Sequence, residues 1–243
     1  MLKDGRIGNG RSQYSFLPFP EECSIILSRL DRNSIDAGRD VANVSPQWAD
    51  PSYQSFRKKD IKMVDATEND RNQIVENLRV LGIRYLASGE IKQEARVSLA
   101  PQVLIKRIAE NPDPRLRLAL IALFIRHPQH SAIVSDLVGQ LNEPARTELK
   151  TFYMAAVYLQ RYWMPRLELY MKNFPLLPDL YSNELSLPQP EDRHGKNGLY
   201  ALADWHASRS PYHYNWCASY LKVMDLLFAQ LRMESSNEFS RFG

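Results

Sequence analysis

The sequence predicts an all-α fold: an irregular bundle of about seven helices over residues 63–243, behind an extended, partly disordered N-terminal arm over residues 1–62. Three observations predict it. After Met63 the large apolar residues recur every three or four positions. Prolines and capping residues stand at the ends of those periodic runs. Alternating apolar and polar residues are scarce, and only Met63–Ala66 and Val97 are weak strand candidates.

The arm carries four of the ten glycines and four of the fifteen prolines, with one helical candidate, Pro20–Leu30, where Ile26, Leu27 and Leu30 share a face. Met63-Val64-Asp65 is an alternative natural start. Thr67-Glu68-Asn69-Asp70 then has the spacing of a capping box. Ile74, Leu78, Leu81 and Tyr85 follow at helical intervals, with Gly89 as the expected stop. Pro101 opens a second helix to Glu110, broken by Asn111-Pro112. Asp113 is an N-cap and Pro114 a first-turn residue for a third helix ending before His127-Pro128. Its apolar residues lie on nearly every side, so it is expected to be buried. His130–Leu141 is the fourth helix, aligned on Ile133, Leu137 and Leu141. Pro144 opens a long central helix with Phe152, Ala156, Leu159, Trp163 and Tyr170 on one face, kinked at Pro165. Phe174–Gln189 reads as a proline-punctuated loop with one turn near Asp179–Leu185, and Glu191–Gly198 as a charged, flexible continuation. Leu199–Ser208 is a short helix. Pro211 opens the last one, striped by Trp216, Tyr220, Val223, Leu227 and Leu231, before a polar tail from Ser235 to Gly243.

Composition narrows the function classes. With 44% hydrophobic and 24% charged residues the chain is ordinary globular protein. A net charge of +3, from 31 basic and 28 acidic residues, is mildly basic and excludes nothing, although a dedicated nucleic-acid binder usually shows a stronger imbalance or a clear basic run. Cys23 and Cys217 are too few and too far apart for a disulfide scaffold and read as reduced thiols. Met1–Ser12 has no apolar leader core, so the expectation is a cytoplasmic protein. The longest apolar run, Leu118–Ile125, has eight residues, against about 20 for a membrane span.

No motif assembles a catalytic site. A phosphate-cradling loop, a dinucleotide fingerprint, a Gly-x-Ser-x-Gly elbow and paired zinc cysteines are all missing. Gly5-Arg6-Ile7-Gly8-Asn9-Gly10 follows no strand and reads as a terminus. His127 and His130 flank a helix-breaking proline, which argues against a shared metal. His206 and His213 sit among Trp205, Tyr212, Tyr214 and Trp216, a set that either stacks a base or fills the bundle. Hence no catalytic residue, cofactor or metal is assigned. The candidate contacts to a partner or to phosphate are Arg115, Arg126, His130, Arg161 and Arg166. Arg115 and Arg126 are eleven residues apart on one helix face; Arg79, Arg84, Arg96, Lys106 and Arg107 precede them, and Arg161, Glu168 and Lys172 share another face. Cations in an apolar bundle need partners. These are internal carboxylates such as Glu148, Glu168, Asp204 or Asp225, or an acidic protein surface, or phosphates.

Asn77-Leu78-Arg79-Val80-Leu81, Leu116-Arg117-Leu118-Ala119-Leu120, Phe124-Ile125-Arg126-His127-Pro128 and Tyr158-Leu159-Gln160-Arg161 together resemble the small helical proteins encoded beside minimal nucleotidyltransferases in bacterial toxin–antitoxin-like gene pairs. The resemblance covers roughly residues 70–235. It implies a non-catalytic helical partner that neutralises or steers a nucleotidyltransferase. The better-known helical partners, of the higher-eukaryote-and-prokaryote nucleotide-binding family, carry a ribonuclease motif with a longer arginine-to-histidine spacing. Here only three residues separate Arg126 from His130 and Arg209 from His213. The expected function is therefore a helical interaction protein acting in a complex. The alternative is an RNA- or DNA-contacting module using the arginines, and a nuclease built on Arg126, His127 and His130 ranks third.

Overall fold

The computed structural model describes residues 68–86, 98–171, 174–210 and 214–242. The arm, Cys23, the Thr67 cap, the strand candidates Met63–Ala66 and Val97, the stop at Gly89 and the opening at Pro211 all lie outside the described residues. Eight α-helices and no strand occur among the described residues. They are α1 (residues 68–80), α2 (Pro101–Glu110), α3 (Pro114–Arg126), α4 (Val134–Val138), α5 (Glu143–Tyr162), α6 (Met164–Leu167), α7 (Lys196–Arg209) and α8 (Trp216–Phe242). No helix among them is long and apolar enough to cross a membrane.

The core is built around α3 and α5. Asp113 caps α3 by accepting from the Arg115 N–H at 2.9 Å. Every residue from Ala119 to Ile125 is then fully buried, as expected for a helix apolar on all sides. α3 packs against α2, α5 and α8, and α5 packs in turn against α7. α5 is capped by Asn142, whose side chain accepts from Ala145 N–H at 3.1 Å, and it is buried continuously from Thr151 to Gln160.

Several expected boundaries move, each for a local reason. α1 ends at residue 80, short of Leu81 and Tyr85. The Ile83 N–H bonds Leu78 O at 2.8 Å and the Gly82 N–H bonds Arg79 O at 2.9 Å, the paired bonds of a Schellman motif. Gly82 supplies the left-handed residue at φ +80°. The expected helix His130–Leu141 is a 3-10 turn, Pro128–Ile133, followed by only five α-helical residues. The long helix does not kink at Pro165 but stops at Tyr162, because Pro165 cannot donate to Arg161 O and its ring crowds that carbonyl. Trp163, at φ −105° and ψ 12°, makes the corner into α6.

Residues 174–190 have no helix, yet they are pinned to α5. The Gln160 amide donates to Pro175 O at 3.0 Å and accepts from Leu177 N–H at 2.7 Å. The Tyr153 and Tyr158 hydroxyls donate to Pro178 O at 2.8 Å and Pro188 O at 2.7 Å. The stretch expected to be flexible, Glu191–Gly198, forms a tight turn with Arg193 and His194 in the left-handed region, at φ 44° and 53°, and the first turn of α7. Gly198 is buried there, and a Cβ on it would lie 2.0 Å from the Tyr158 ring, so only glycine lets α7 approach α5 this closely. The expected polar tail from Ser235 continues α8.

Candidate functional site

The five candidate contacts do not converge. Arg115 is exposed in the first turn of α3. Arg126, at the other end of that helix, pairs through Nη2 with Glu234 Oε2 at 2.8 Å. Gly82 lies so close over its guanidinium that a Cβ there would be 2.6 Å from Nε. Gln230 completes this clamp: it donates to Gly82 O and to Glu234 Oε1, and accepts from Arg84 N–H at 2.9 Å. Burial alone raises the Glu234 carboxyl, but the hydrogen bonds from Arg126 and Gln230 and the charges of Arg126 and Arg84 outweigh it and hold the carboxyl below its ordinary range. Arg126 therefore fastens the end of α1 to α8.

His130 is half-buried with its Nε2 unpartnered. Burial first, and then neighbouring His127, lower its pKa. His127 itself bonds Leu81 O through Nε2 at 2.6 Å. Arg161 donates to Leu177 O at 3.0 Å and faces Glu191 at 3.5 Å. Arg166 lies 4.0 Å from the centre of the Phe228 ring. Glu168 is exposed. Arg96, Lys172, Tyr212 and His213 lie outside the described residues.

The polar constellation that does assemble was only half visible in the sequence. Four helices each give it one side chain: Arg117 from α3, Glu148 from α5, His206 from α7 and Tyr220 from α8. His206 is 3% exposed. Its Nδ1 is 2.7 Å from the Tyr220 hydroxyl and its Nε2 is 3.3 Å from Glu148 Oε1. One imidazole nitrogen thus meets a tyrosine hydroxyl and the other a carboxylate oxygen. Trp216 stacks on the imidazole at 3.7 Å. Arg117 Nε faces Glu148 Oε2 at 3.4 Å, and its Nη1 donates to Asn111 O at 3.2 Å. Burial, then Glu148, then Cys217 push the Tyr220 hydroxyl well above its ordinary pKa, so it stays a protonated donor. Glu148 is one of the carboxylates expected to pair internally. Its partners, Arg117 and His206, are 31 and 58 residues away, and no spacing announces contacts of that range.

Arg117, Glu148, His206 and Trp216 line a cleft of about 830 Å³. The first turns of α3 and α5, the last turn of α7, and Tyr214 complete its wall. Among the described residues no group of histidine, cysteine and carboxylate side chains has the arrangement of a metal site. Comparison with protein-family models, curated proteins and solved structures gives no match.

Proposed function

We propose that the chain is a non-catalytic, cytoplasmic helical interaction protein that works in a complex, with a nucleotidyltransferase as the partner class that its resemblance implies. One observation carries this reading: Val80 and Met233, 75% and 67% exposed, stand beside the clamp that joins α1 to α8. Val80 is two residues from Gly82 and Met233 is next to Glu234, so both flank a rigid junction. Large apolar side chains held on a rigid support suit a protein partner. Arg126 and Arg161 meanwhile are taken up by the bundle's own acceptors, which weakens the reading of them as phosphate contacts.

The test is co-expression with the product of the adjacent gene, followed by size-exclusion chromatography with light scattering. A stable complex is expected, lost in the double variant Val80→Asp, Met233→Asp while that variant keeps the parent's melting temperature. A chain that elutes alone in both forms rejects the proposal. Exposed Arg115 supports the alternative, RNA or DNA contact. That reading requires binding to generic nucleic acid that weakens steeply with salt, and no binding at low salt removes it.

A further inference from the structure

We infer that the junction of α1 with α8 binds an acidic amphipathic segment of the partner, one that sets carboxylates beside an apolar stripe. The inference rests on the reading of the chain as an interaction protein and adds the partner's chemistry to it. Val80 and Met233 are 75% and 67% exposed. Single exposed apolar side chains are ordinary on a protein surface. These two differ because hydrogen bonds fix the backbone beneath them. The Gln230 side chain donates to Gly82 O and accepts from Arg84 N–H at 2.9 Å. The turn after Val80 is thereby tied to the turn of α8 that carries Met233. Apolar groups on a fixed support lose little freedom when a partner covers them.

Charge selects the partner. Arg79 lies 3.9 Å from Glu76, and Arg126 lies 2.8 Å from Glu234. Arg84 is exposed, and its side chain pairs with no carboxylate among the described residues. Its charge reaches Glu234 and helps to hold that carboxyl low, but Arg126 and Gln230 already take up both Glu234 oxygens. The junction therefore carries a surplus guanidinium next to its apolar pair. Arg232, beside Met233 in the chain, is also exposed with its guanidinium unpaired among the described residues. Aliphatic groups with surplus positive charge are complementary to aliphatic groups with carboxylates next to them. A nucleic acid would answer the charge but would set Val80 and Met233 against phosphate and sugar, so the apolar pair favours a protein. An amphipathic helix offers both features on one face, with apolar residues at i and i+4 and glutamates flanking them.

Fluorescence anisotropy of the full chain tests it with labelled peptides about 18 residues long, enough to form a helix. Each peptide has the same leucine stripe on an alanine background, flanked by glutamate, by glutamine or by lysine. The glutamate peptide should bind saturably, the glutamine peptide about threefold or more weakly, and the lysine peptide not at all. Binding should weaken as sodium chloride rises from about 0.02 to about 0.5 M. Arg84→Gln, which removes the charge without adding another, should weaken it by about three- to fivefold. The double variant Val80→Thr, Met233→Gln, which keeps size and net charge, should weaken it by about tenfold or more. Equal binding of the glutamate and glutamine peptides overturns the inference. So does undiminished binding in either variant, or displacement of the glutamate peptide by a single-stranded oligonucleotide at lower concentration than by unlabelled peptide. In the co-expression experiment, a complex lost in Val80→Asp, Met233→Asp but indifferent to salt and to Arg84→Gln overturns this inference and leaves the interaction reading standing. A chain that elutes alone and ignores every peptide removes both.

Discussion

Gly82 and Arg126 show how one backbone angle and one cation are tied together. Gly82 holds φ +80°, and any Cβ there would press on the Arg126 guanidinium. An alanine meets both penalties: about 1–2 kcal/mol for the left-handed conformation, and displacement of Arg126 from Glu234. Gly82→Ala should therefore lower unfolding free energy by about 2–3 kcal/mol in denaturant titration. Gly139 is the control, since a Cβ there would meet nothing nearer than 3.6 Å at ordinary φ; Gly139→Ala should be neutral or stabilise by about 0.5 kcal/mol. The same clamp has a pH signature. Glu234 is depressed in the folded state relative to its ordinary value of 4.5. Its contribution is therefore complete above that value and fades as pH falls through the lower folded value. The stability gap between the parent and Glu234→Gln should be widest near neutrality and close on acidification below pH 4.5. A gap that persists at pH 2, or one already absent at pH 6, contradicts this account of Glu234. None of this was legible beforehand, because Arg126 and Glu234 are 108 residues apart. The sequence showed a cation at a helix end and left its acceptor open.

At the scale of elements, local chemistry sets what could be read. α2 and α3 appear within a residue or so of their expected bounds, because Pro101, Asp113-Pro114 and His127-Pro128 act on the backbone next to them. α5 starts as expected near Pro144, but its end depends on how Trp163 turns the corner, which periodicity does not encode. The segment 174–190 is the loop with one turn that the sequence predicts, but its anchoring is not encoded locally. Its prolines rule out a helix, and that much was read, but its order comes from Tyr153, Tyr158 and Gln160 on α5. A buried glutamine in an otherwise apolar face was the available signal. Gln160 satisfies Pro175 O and the Leu177 N–H together, so Gln160→Leu leaves the buried Leu177 N–H unpaired and frees the exposed Pro175 carbonyl. The expected cost is about 1–3 kcal/mol. Limited proteolysis should show faster cleavage within residues 174–190 at native temperature, with α3 still protected. If cleavage and stability match the parent, the pinning of this segment by Gln160 is wrong.

For the whole molecule, the all-α class followed from periodicity, but the arrangement of the helices follows from what α3 and α5 bury. α3 touches α2, α5 and α8 at once, so its middle, from Ala119 to Ile125, has no face on which a charge reaches water. The Arg117–Glu148–His206–Tyr220 set ties four helices at one end, and the Arg126–Glu234–Gln230 clamp ties α1, α3 and α8 at the other. Between them the middle of α3, Ala119–Ile125, is apolar and fully buried. Leu120 sits there with 0% exposure. No described cation is placed to neutralise a carboxylate at that point, since Arg117 and Arg126 are each committed to a glutamate. Leu120→Asp must then either bury an unpaired charge or raise its pKa until it is neutral, and both cost more than about 4 kcal/mol. That approaches the entire stability of an ordinary domain, about 5–15 kcal/mol. The variant should lose near-ultraviolet circular dichroism and its cooperative melt at neutral pH. Leu120→Met, which keeps shape and polarity, should melt within a few degrees of the parent. A Leu120→Asp protein with the parent's cooperative melt would mean that the middle of α3 reaches solvent, and the central place given to α3 would have to be abandoned.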